Sequence, residues 1–182
     1  AGLVSVLTPT RNRAYTLPRL YESLRAQTYT AFEWLVLDDG STDGTRELVQ
    51  GWAAEGRVDV RYLPQEHRGK HAALNRGIRE ARGEFFVIVD SDNVLLPHAL
   101  EFLVTGWRSI PEDRRASFCG VAALCADPEG RIVGTPFPRD GLDSDYVEIR
   151  TRYRVRGDKA ELYRTEVIRA FPLYPEYEGE TF

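Results

Sequence analysis

Two apolar runs that each end in a knot of acids constrain this chain more than any other feature. Trp34-Leu35-Val36-Leu37 leads into Asp38-Asp39-Gly40-Ser41, and Phe85-Phe86-Val87-Ile88-Val89 leads into Asp90-Ser91-Asp92. A short β-branched and aromatic run closed by turn formers reads as a buried strand. Both acidic clusters then fall at carboxyl ends of strands, where open α/β sheets bind ligands. Asp38, Asp39, Asp90 and Asp92 are thereby expected in one crevice. Like charges drawn out of bulk water need a cation or ligand donors to offset them, which points to a metal and a substrate with charges of its own.

The first half of the chain extends this pattern as an alternation. Leu3 to Leu7 is predicted as a strand, Pro9 to Tyr15 as a loop, and Leu17, Leu20 and Leu24 as the stripe of a helix ending near Gln27. The turn Gly40-Ser41-Thr42-Asp43-Gly44 opens a helix carrying Leu48, Val49 and Trp52, with Asp43 as its cap. Val58, Val60 and Tyr62 alternate as a third strand. A helix from about Lys70 sets Leu74, Ile78 and Ala81 on one face and is stopped by Gly83. Pro97 starts another, with Leu100, Leu103, Val104 and Trp107. Four such alternations imply right-handed crossovers and a mostly parallel sheet.

Beyond Pro111 the rhythm changes. Phe118 to Ala126 and Arg131-Ile132-Val133 flank the turn Asp127-Pro128-Glu129-Gly130 as a hairpin, and Pro136 to Ser144 is loop. Tyr146 to Val155 reads as extended or irregular, Ala160 to Tyr163 as a short strand, Glu166 to Ala170 as a short helix and Pro172 to Glu180 as loop. Arg150, Arg152, Arg154 and Arg156 alternate, so an extended backbone puts them on one face. That face reads as a charge-blocked sheet edge, with contact to an anionic acceptor as the second reading.

Composition narrows the function classes. The 182 residues, 42% of them hydrophobic, suffice for one sizeable core. With 24 basic against 28 acidic residues the net charge is -4, so nothing draws the chain generally to nucleic acid and any phosphate recognition is local. No run approaches the ~20 apolar residues that span a bilayer, and Ala1-Gly2-Leu3 lacks the segments of a signal peptide. A cytoplasmic protein is the expectation, with docking at the inner face of a membrane left open. Cys119 and Cys125 sit on one predicted strand, ~20 Å apart at ~3.3 Å per residue, and read as small buried hydrophobes in a reducing compartment. His67 and His71 have i, i+4 spacing, but Gly69 between them marks a helix start, so a solvated or ligand-facing histidine is a better reading than zinc.

Several strings occur in a telling order: Thr8-Pro9-Thr10-Arg11-Asn12-Arg13, Ala26-Gln27-Thr28-Tyr29, Val36 to Asp43, Gly69-Lys70-His71-Ala72-Ala73-Leu74-Asn75-Arg76-Gly77-Ile78, and Gly83-Glu84 through Asp92. Together they resemble the family 2 glycosyltransferases of GT-A fold, within the nucleotide-diphospho-sugar transferase superfamily, over residues 3 to about 108. The resemblance implies an α/β fold with a Rossmann-like, mostly parallel central sheet flanked by helices and a mixed C-terminal sheet segment. It implies one domain over 1–182, with 1–110 binding the nucleotide-sugar and 111–182 on the acceptor side. The implied reaction moves a sugar, with inversion, from a nucleotide-diphospho-sugar, UDP-sugar first, to an acceptor hydroxyl with Mn²⁺ or Mg²⁺. The implied acceptor is a glycan or lipid-linked molecule, as in cell-envelope polysaccharide synthesis.

Residue by residue, the resemblance makes Asp92 the direct metal ligand and turns Asp90 to the ribose or the metal's water shell. It makes Thr8, Pro9, Arg11, Asp38, Asp39, Lys70, Asp90 and Ser91 nucleotide contacts, with Asp39 at the base and Lys70 supplying positive charge. Asn93 stands where the family often has Asp, so a second acidic contact is missing there. The chemistry agrees: hard carboxylate oxygens suit Mg²⁺ or Mn²⁺, and such a cation offsets charge growing on a departing nucleoside diphosphate. Asp90-Ser91-Asp92 by itself would also serve as a capped turn. Asp39 can accept the uracil N–H, or hold an Asx turn.

Inverting transfer also needs a base for the acceptor's proton. By resemblance this is Glu180, with Glu178 second, and a solvated acidic loop is the plain alternative. The family commonly continues with helices, so acceptor contacts are expected beyond Phe182. Two other classes stay in view: a nucleotidyltransferase, which usually wants a glycine-rich phosphate loop that Thr8 to Arg13 lacks, and a noncatalytic nucleotide-sugar-binding module.

Overall fold

The computed structural model describes residues 2–176. Six strands, β1 (Val4–Thr10), β2 (Phe32–Asp39), β3 (Asp59–Gln65), β4 (Phe85–Ile88), β5 (Gly120–Leu124) and β6 (Lys159–Arg164), make one sheet in the order β3-β2-β1-β4-β6-β5. The first four are mutually parallel, and β6 runs antiparallel to both β4 and β5. Among the described residues six α-helices accompany them, α1 (Leu17–Arg25), α2 (Thr45–Glu55), α3 (Lys70–Glu80), α4 (Ala99–Ser109), α5 (Tyr146–Thr151) and α6 (Thr165–Arg169), with a 3-10 helix at Glu112–Ser117. None of the described helices is long and apolar enough to cross a membrane.

Every residue of β1 and β2 is buried, because helices cover the sheet on both sides. Alternate side chains serve different layers. Val4, Val6, Trp34, Val36, Phe85 and Val87 pack with α1, α2 and α4. Leu7, Leu35, Leu37 and Phe86 pack with Ala73, Leu74 and Ile78 of α3. The first layer is anchored by a stack of Tyr21, Trp34 and Trp52, with ring centroids 4.4 Å apart for Tyr21 and Trp52 and 5.7 Å for the two tryptophans.

A buried acid knits the amino ends of these strands. Glu33 is fully buried, accepts from Ser5 Oγ at 2.6 Å and from the Arg82 N–H at 2.7 Å, and pairs with Arg61 at 2.9 Å. The periodicity of the parallel half gives no hint of it.

The strand-helix alternation of residues 3–109 is as expected, except that β1 continues through Pro9 to Thr10 instead of yielding to loop at Pro9. Larger corrections fall later. Tyr146 to Val155 is not extended: Tyr146–Thr151 is helix α5, started by Asp145, whose carboxylate accepts the Glu148 N–H. Asp145-Tyr146-Val147-Glu148 has the acid-x-x-Glu spacing of a helix start. The four arginines therefore share no face. Arg152 pairs with Glu148, Arg150 donates to the Val155 carbonyl, and Arg154 has a left-handed φ of 55°.

The hairpin shrinks to a turn at Gly130 and an isolated bridge between Ala126 and Ile132, because β5 takes β6 as its partner. Cys119, expected buried, is exposed; Cys125 is half-buried. Glu178 and Glu180 lie outside the described residues.

Candidate active site

The chain steps from β1 outward to β2 and β3, then returns to place β4 on the other side of β1. Loops after β1 and β4 must diverge at such a reversal, and a crevice opens outside the strands' carboxyl ends. Here the crevice is a cavity of about 290 Å³. Pro9 and Thr10 enter it from β1 and Arg11 and Arg13 from the loop after it, Asp39 from β2, His67, Gly69 and Lys70 from the loop into α3, and Asp90, Ser91 and Asp92 from beyond β4.

Of the eight residues expected at a nucleotide, Pro9, Arg11, Asp39, Lys70, Asp90 and Ser91 line the cavity, whereas Thr8 and Asp38 do not. Alternation explains both exceptions. Thr8 faces the α1–α2 layer, fully buried, and its Oγ1 accepts from Trp34 Nε1 at 2.9 Å. Asp38 turns from the cavity to its own loop, accepting the Ser41 N–H at 2.8 Å and the Tyr62 hydroxyl. Burial and that bond to Asp38 push the Tyr62 phenol up to about 12. The crevice thus gathers three of the four carboxylates, Asp39, Asp90 and Asp92.

Asp39 is buried and fully engaged. Its Oδ1 accepts from Gln65 Nε2 and the Arg68 N–H, each at 2.8 Å, and its Oδ2 from His67 Nδ1 at 2.6 Å and the Gly69 N–H at 2.9 Å. Burial raises its pKa, but donation from Arg68, Gln65, His67 and Gly69 outweighs this and holds the carboxyl below its ordinary value. His67 Nε2 meets Arg11 Nη1 at 3.0 Å. A guanidinium can only donate, so Nε2 is the acceptor and the proton sits on Nδ1, toward Asp39. Gly69, at φ 94°, lets the chain turn into α3 while its amide points at this carboxylate.

Across the cavity, Lys70 Nζ lies 2.6 Å from Asp90 Oδ1, with both side chains about half exposed. Among the described residues, Asp92 makes no hydrogen bond or ion pair. The wall is held by loop-to-loop bonds. Asn12, in left-handed conformation at φ 54°, donates its N–H to Ser41 Oγ at 2.9 Å and accepts the Thr42 N–H on Oδ1 at 2.8 Å. Asp43 is not the cap expected of it: Gly44 holds the N-cap position of α2, and Asp43, one residue earlier, accepts from the Thr45 N–H at 3.0 Å and the Ala14 N–H at 3.1 Å, so it ties two loops together beside the start of the helix.

For a divalent cation the donor type fits: Asp90 and Asp92 present hard oxygens to one cavity, and Asp92 has no competing protein partner among the described residues. The set is incomplete, since among the described residues no group of three or more His, Cys, Asp or Glu is arranged to hold a metal. Oxygens from a bound diphosphate would have to complete it.

Arg13, Gln65 and the Arg68 and Gly69 amides were not anticipated. The signal was available: β3 is a third parallel strand, so Gln65 to Gly69 leave its carboxyl end toward the same crevice.

The chain matches Glycosyl transferase family 2 over residues 5–168. It belongs to that family. An uncharacterized glycosyltransferase of Escherichia coli K12, YibD, is 34% identical over 164 residues, 78% of this chain and 44% of that protein. S. aureus TarS 1-349 in complex with UDP superposes with a TM-score of 0.68 at 25% identity, over 92% of this chain and 48% of that one. The mannosyltransferase PcManGT from Pyrobaculum calidifontis, in complex with GDP-Man and Mn²⁺, gives 0.67 at 25%, over 96% and 48%. The six-stranded, helix-flanked sheet is the GT-A architecture. The chain spans about half the length of each of these relatives.

Proposed function

We propose that residues 1–182 form one glycosyltransferase domain that holds a nucleotide-diphospho-sugar in the 290 Å³ cavity and passes its sugar, with inversion, to the hydroxyl of a glycan or lipid-linked acceptor. The observation that carries this reading is the meeting of Asp90, Asp92, Lys70 and Asp39 at the sheet's reversal point. The neighbours solved with UDP and with GDP-Man lend it support.

Asp92, with Asp90 beside it, would hold Mn²⁺ or Mg²⁺, which would supply positive charge to offset that on the leaving diphosphate. Lys70 exchanges its bond to Asp90 for a phosphate oxygen, a favourable swap when the donor is present because both side chains are already half solvated. Pro9 and Arg11 flank the base. Asp39 reads a uracil N–H by releasing Gln65 Nε2, a side-chain donor whose loss leaves the two backbone bonds to Arg68 and Gly69 in place. UDP is therefore the first nucleotide to try. The base for the acceptor proton is Glu180, or Glu178 in its stead.

Titration of UDP by calorimetry, with and without Mn²⁺, tests the core of this reading. Asp92→Asn should weaken binding with Mn²⁺ present and change metal-free binding little. Equal losses in both conditions would remove Asp92 from the metal, and no UDP binding at all by the unaltered protein would remove the donor assignment.

A further inference from the structure

A second cavity, of about 430 Å³, lies at the opposite end of β4 from the donor cavity. Glu84 borders it just ahead of β4, Trp107 from α4, Arg115 from the 3-10 helix, Arg164 from the end of β6, and Thr165 and Arg169 from α6. From Phe85 to Val89 the chain runs about 13 Å at ~3.3 Å per residue before Asp90 reaches the donor cavity. The two cavities share no lining residue.

Three guanidinium side chains belong to this lining, and backbone carbonyls hold each of them. Arg115 Nε donates to the Ile110 carbonyl at 2.9 Å and its Nη2 to that of Arg108 at 2.8 Å. Arg164 Nη1 donates to the carbonyls of Arg115 at 3.4 Å and Phe118 at 3.2 Å, and its Cζ lies 5.8 Å from the centre of the Trp107 ring. Arg169 donates to the carbonyls of Ile78 at 2.8 Å, Arg79 at 2.9 Å and Ala81 at 2.5 Å. A carbonyl orients a guanidinium without cancelling its charge. Of the two carboxylates in the lining, Glu166 pairs with Arg164, and among the described residues Glu84 pairs with no cation. Arg115 and Arg169 form no ion pair among those residues, and the Nη1 of each makes no hydrogen bond there.

Thr165 adds an independent sign. It is 3% exposed, and its Oγ1 has no hydrogen-bond partner among the described residues. A buried hydroxyl left in that state is costly until an acceptor meets it. We propose that this cavity is a second ligand site, distinct from the donor cavity, that takes the phosphoryl group of a small anion. A carboxylate's two oxygens match a single guanidinium fork, whereas three phosphoryl oxygens can meet Arg115, Arg169 and the Thr165 hydroxyl together. The guanidinium groups are already held by the carbonyls, so binding orders few side chains. The remaining volume and the Trp107 ring suit a further, less polar portion of the ligand. This site stands whether or not the donor cavity holds a nucleotide-sugar.

The test is a titration of inorganic pyrophosphate into the isotope-labelled full-length protein, free of metal and at constant ionic strength, followed by NMR. The Trp107 indole N–H reports this cavity, and the Gly69 amide reports the donor cavity separately. The expected result is a saturable shift at Trp107 whose Kd rises about tenfold in Arg115→Gln and severalfold in Thr165→Val, while Lys70→Ala changes only the response at Gly69. Thr165→Val gives up no side-chain hydrogen bond found among the described residues, so it carries the test if Arg115→Gln melts early by circular dichroism. Sedimentation with phosphatidylcholine vesicles that contain phosphatidic acid, lost in Arg115→Gln, would assign the phosphoryl group to a lipid headgroup; the pyrophosphate shift without sedimentation would assign it to a soluble ligand. The site is overturned if neither probe binds, if acetate at the same ionic strength shifts Trp107 equally, or if neither variant weakens binding.

Discussion

Strands β1 and β2 bury every side chain, whereas β5 buries none fully and β6 only Leu162. The difference follows from cover. Helices lie on both faces of β1 and β2, so beyond the buried Ser5–Glu33 pair the sequence there is apolar until the strands near their carboxyl ends, where polar residues mark the crevice. At the sheet's margin partial burial permits mixed sequence, and local hydrogen bonds decide the conformation instead. The chemistry sits where the first regime stops: acids at the ends of fully buried strands are held by the rigid layer beneath them.

Core truncation should separate the two regimes most widely. Leu7→Ala removes a fully buried side chain between β1 and α3 and should cost about 2–5 kcal/mol by urea denaturation. Ile132→Ala, at a position 46% exposed on the residual hairpin, should stay within about 0.5 kcal/mol. Similar losses at both positions would break the comparison.

Acid should act through the parallel half as well. Burial raises the pKa of Glu33, but donation from Ser5, Arg82 and Arg61 outweighs it and holds the carboxyl below its ordinary value. The unfolded chain then binds this proton more readily than the folded one. Its stabilisation is complete above the unfolded value, about 4.3, and is lost as pH falls through the lower folded value. Asp39, also lowered, adds to the same acid loss. Glu33→Gln should cost about 1–3 kcal/mol at neutral pH, through a misplaced donor facing donors, and should flatten the decline in stability on acidification. An unchanged acid slope in that variant would show that the titration lies elsewhere.

These regimes also account for what could be read in advance. The apolar runs at Trp34 to Leu37 and Phe85 to Val89 report their strands because nothing polar is tolerated there, and with them came Asp39, Asp90 and Asp92. Asp38 and Thr8 do not line the cavity, because a motif names residues without saying which way each points, and alternation turns both toward the α1–α2 layer. The fourfold saturation of Asp39 depends on a loop 26 to 30 residues away, which no local pattern specifies. Near Tyr146 the alternating arginines read as extended or irregular chain, whereas the cap from Asp145 to the Glu148 N–H makes a helix start. A six-residue helix offers too little periodicity to outweigh such a stripe.

The smallest effect is expected at that helix, and it sharpens the contrast most finely. Asp145 and Asp43 both support helix starts, but Asp43 also holds the Ala14 amide and thereby joins the loops that wall the cavity. Removing the Asp43 carboxylate leaves the Thr45 and Ala14 N–H groups without this acceptor, and a hydrogen bond of that kind is worth about 0.5–1.5 kcal/mol. Asp43→Ala should therefore lower the global melting temperature. Helix α5 buries no residue, with Tyr146 70% and Val147 67% exposed, and so short a helix is marginal without its cap. Asp145→Ala should leave the global melt nearly unchanged and instead speed amide exchange at Ile149 and Arg152, whose N–H groups bond the Asp145 and Glu148 carbonyls. A global melting shift equal to that of Asp43→Ala would mean that α5 is bound into the cooperative core, and that the margin of the sheet is built on the same terms as its centre.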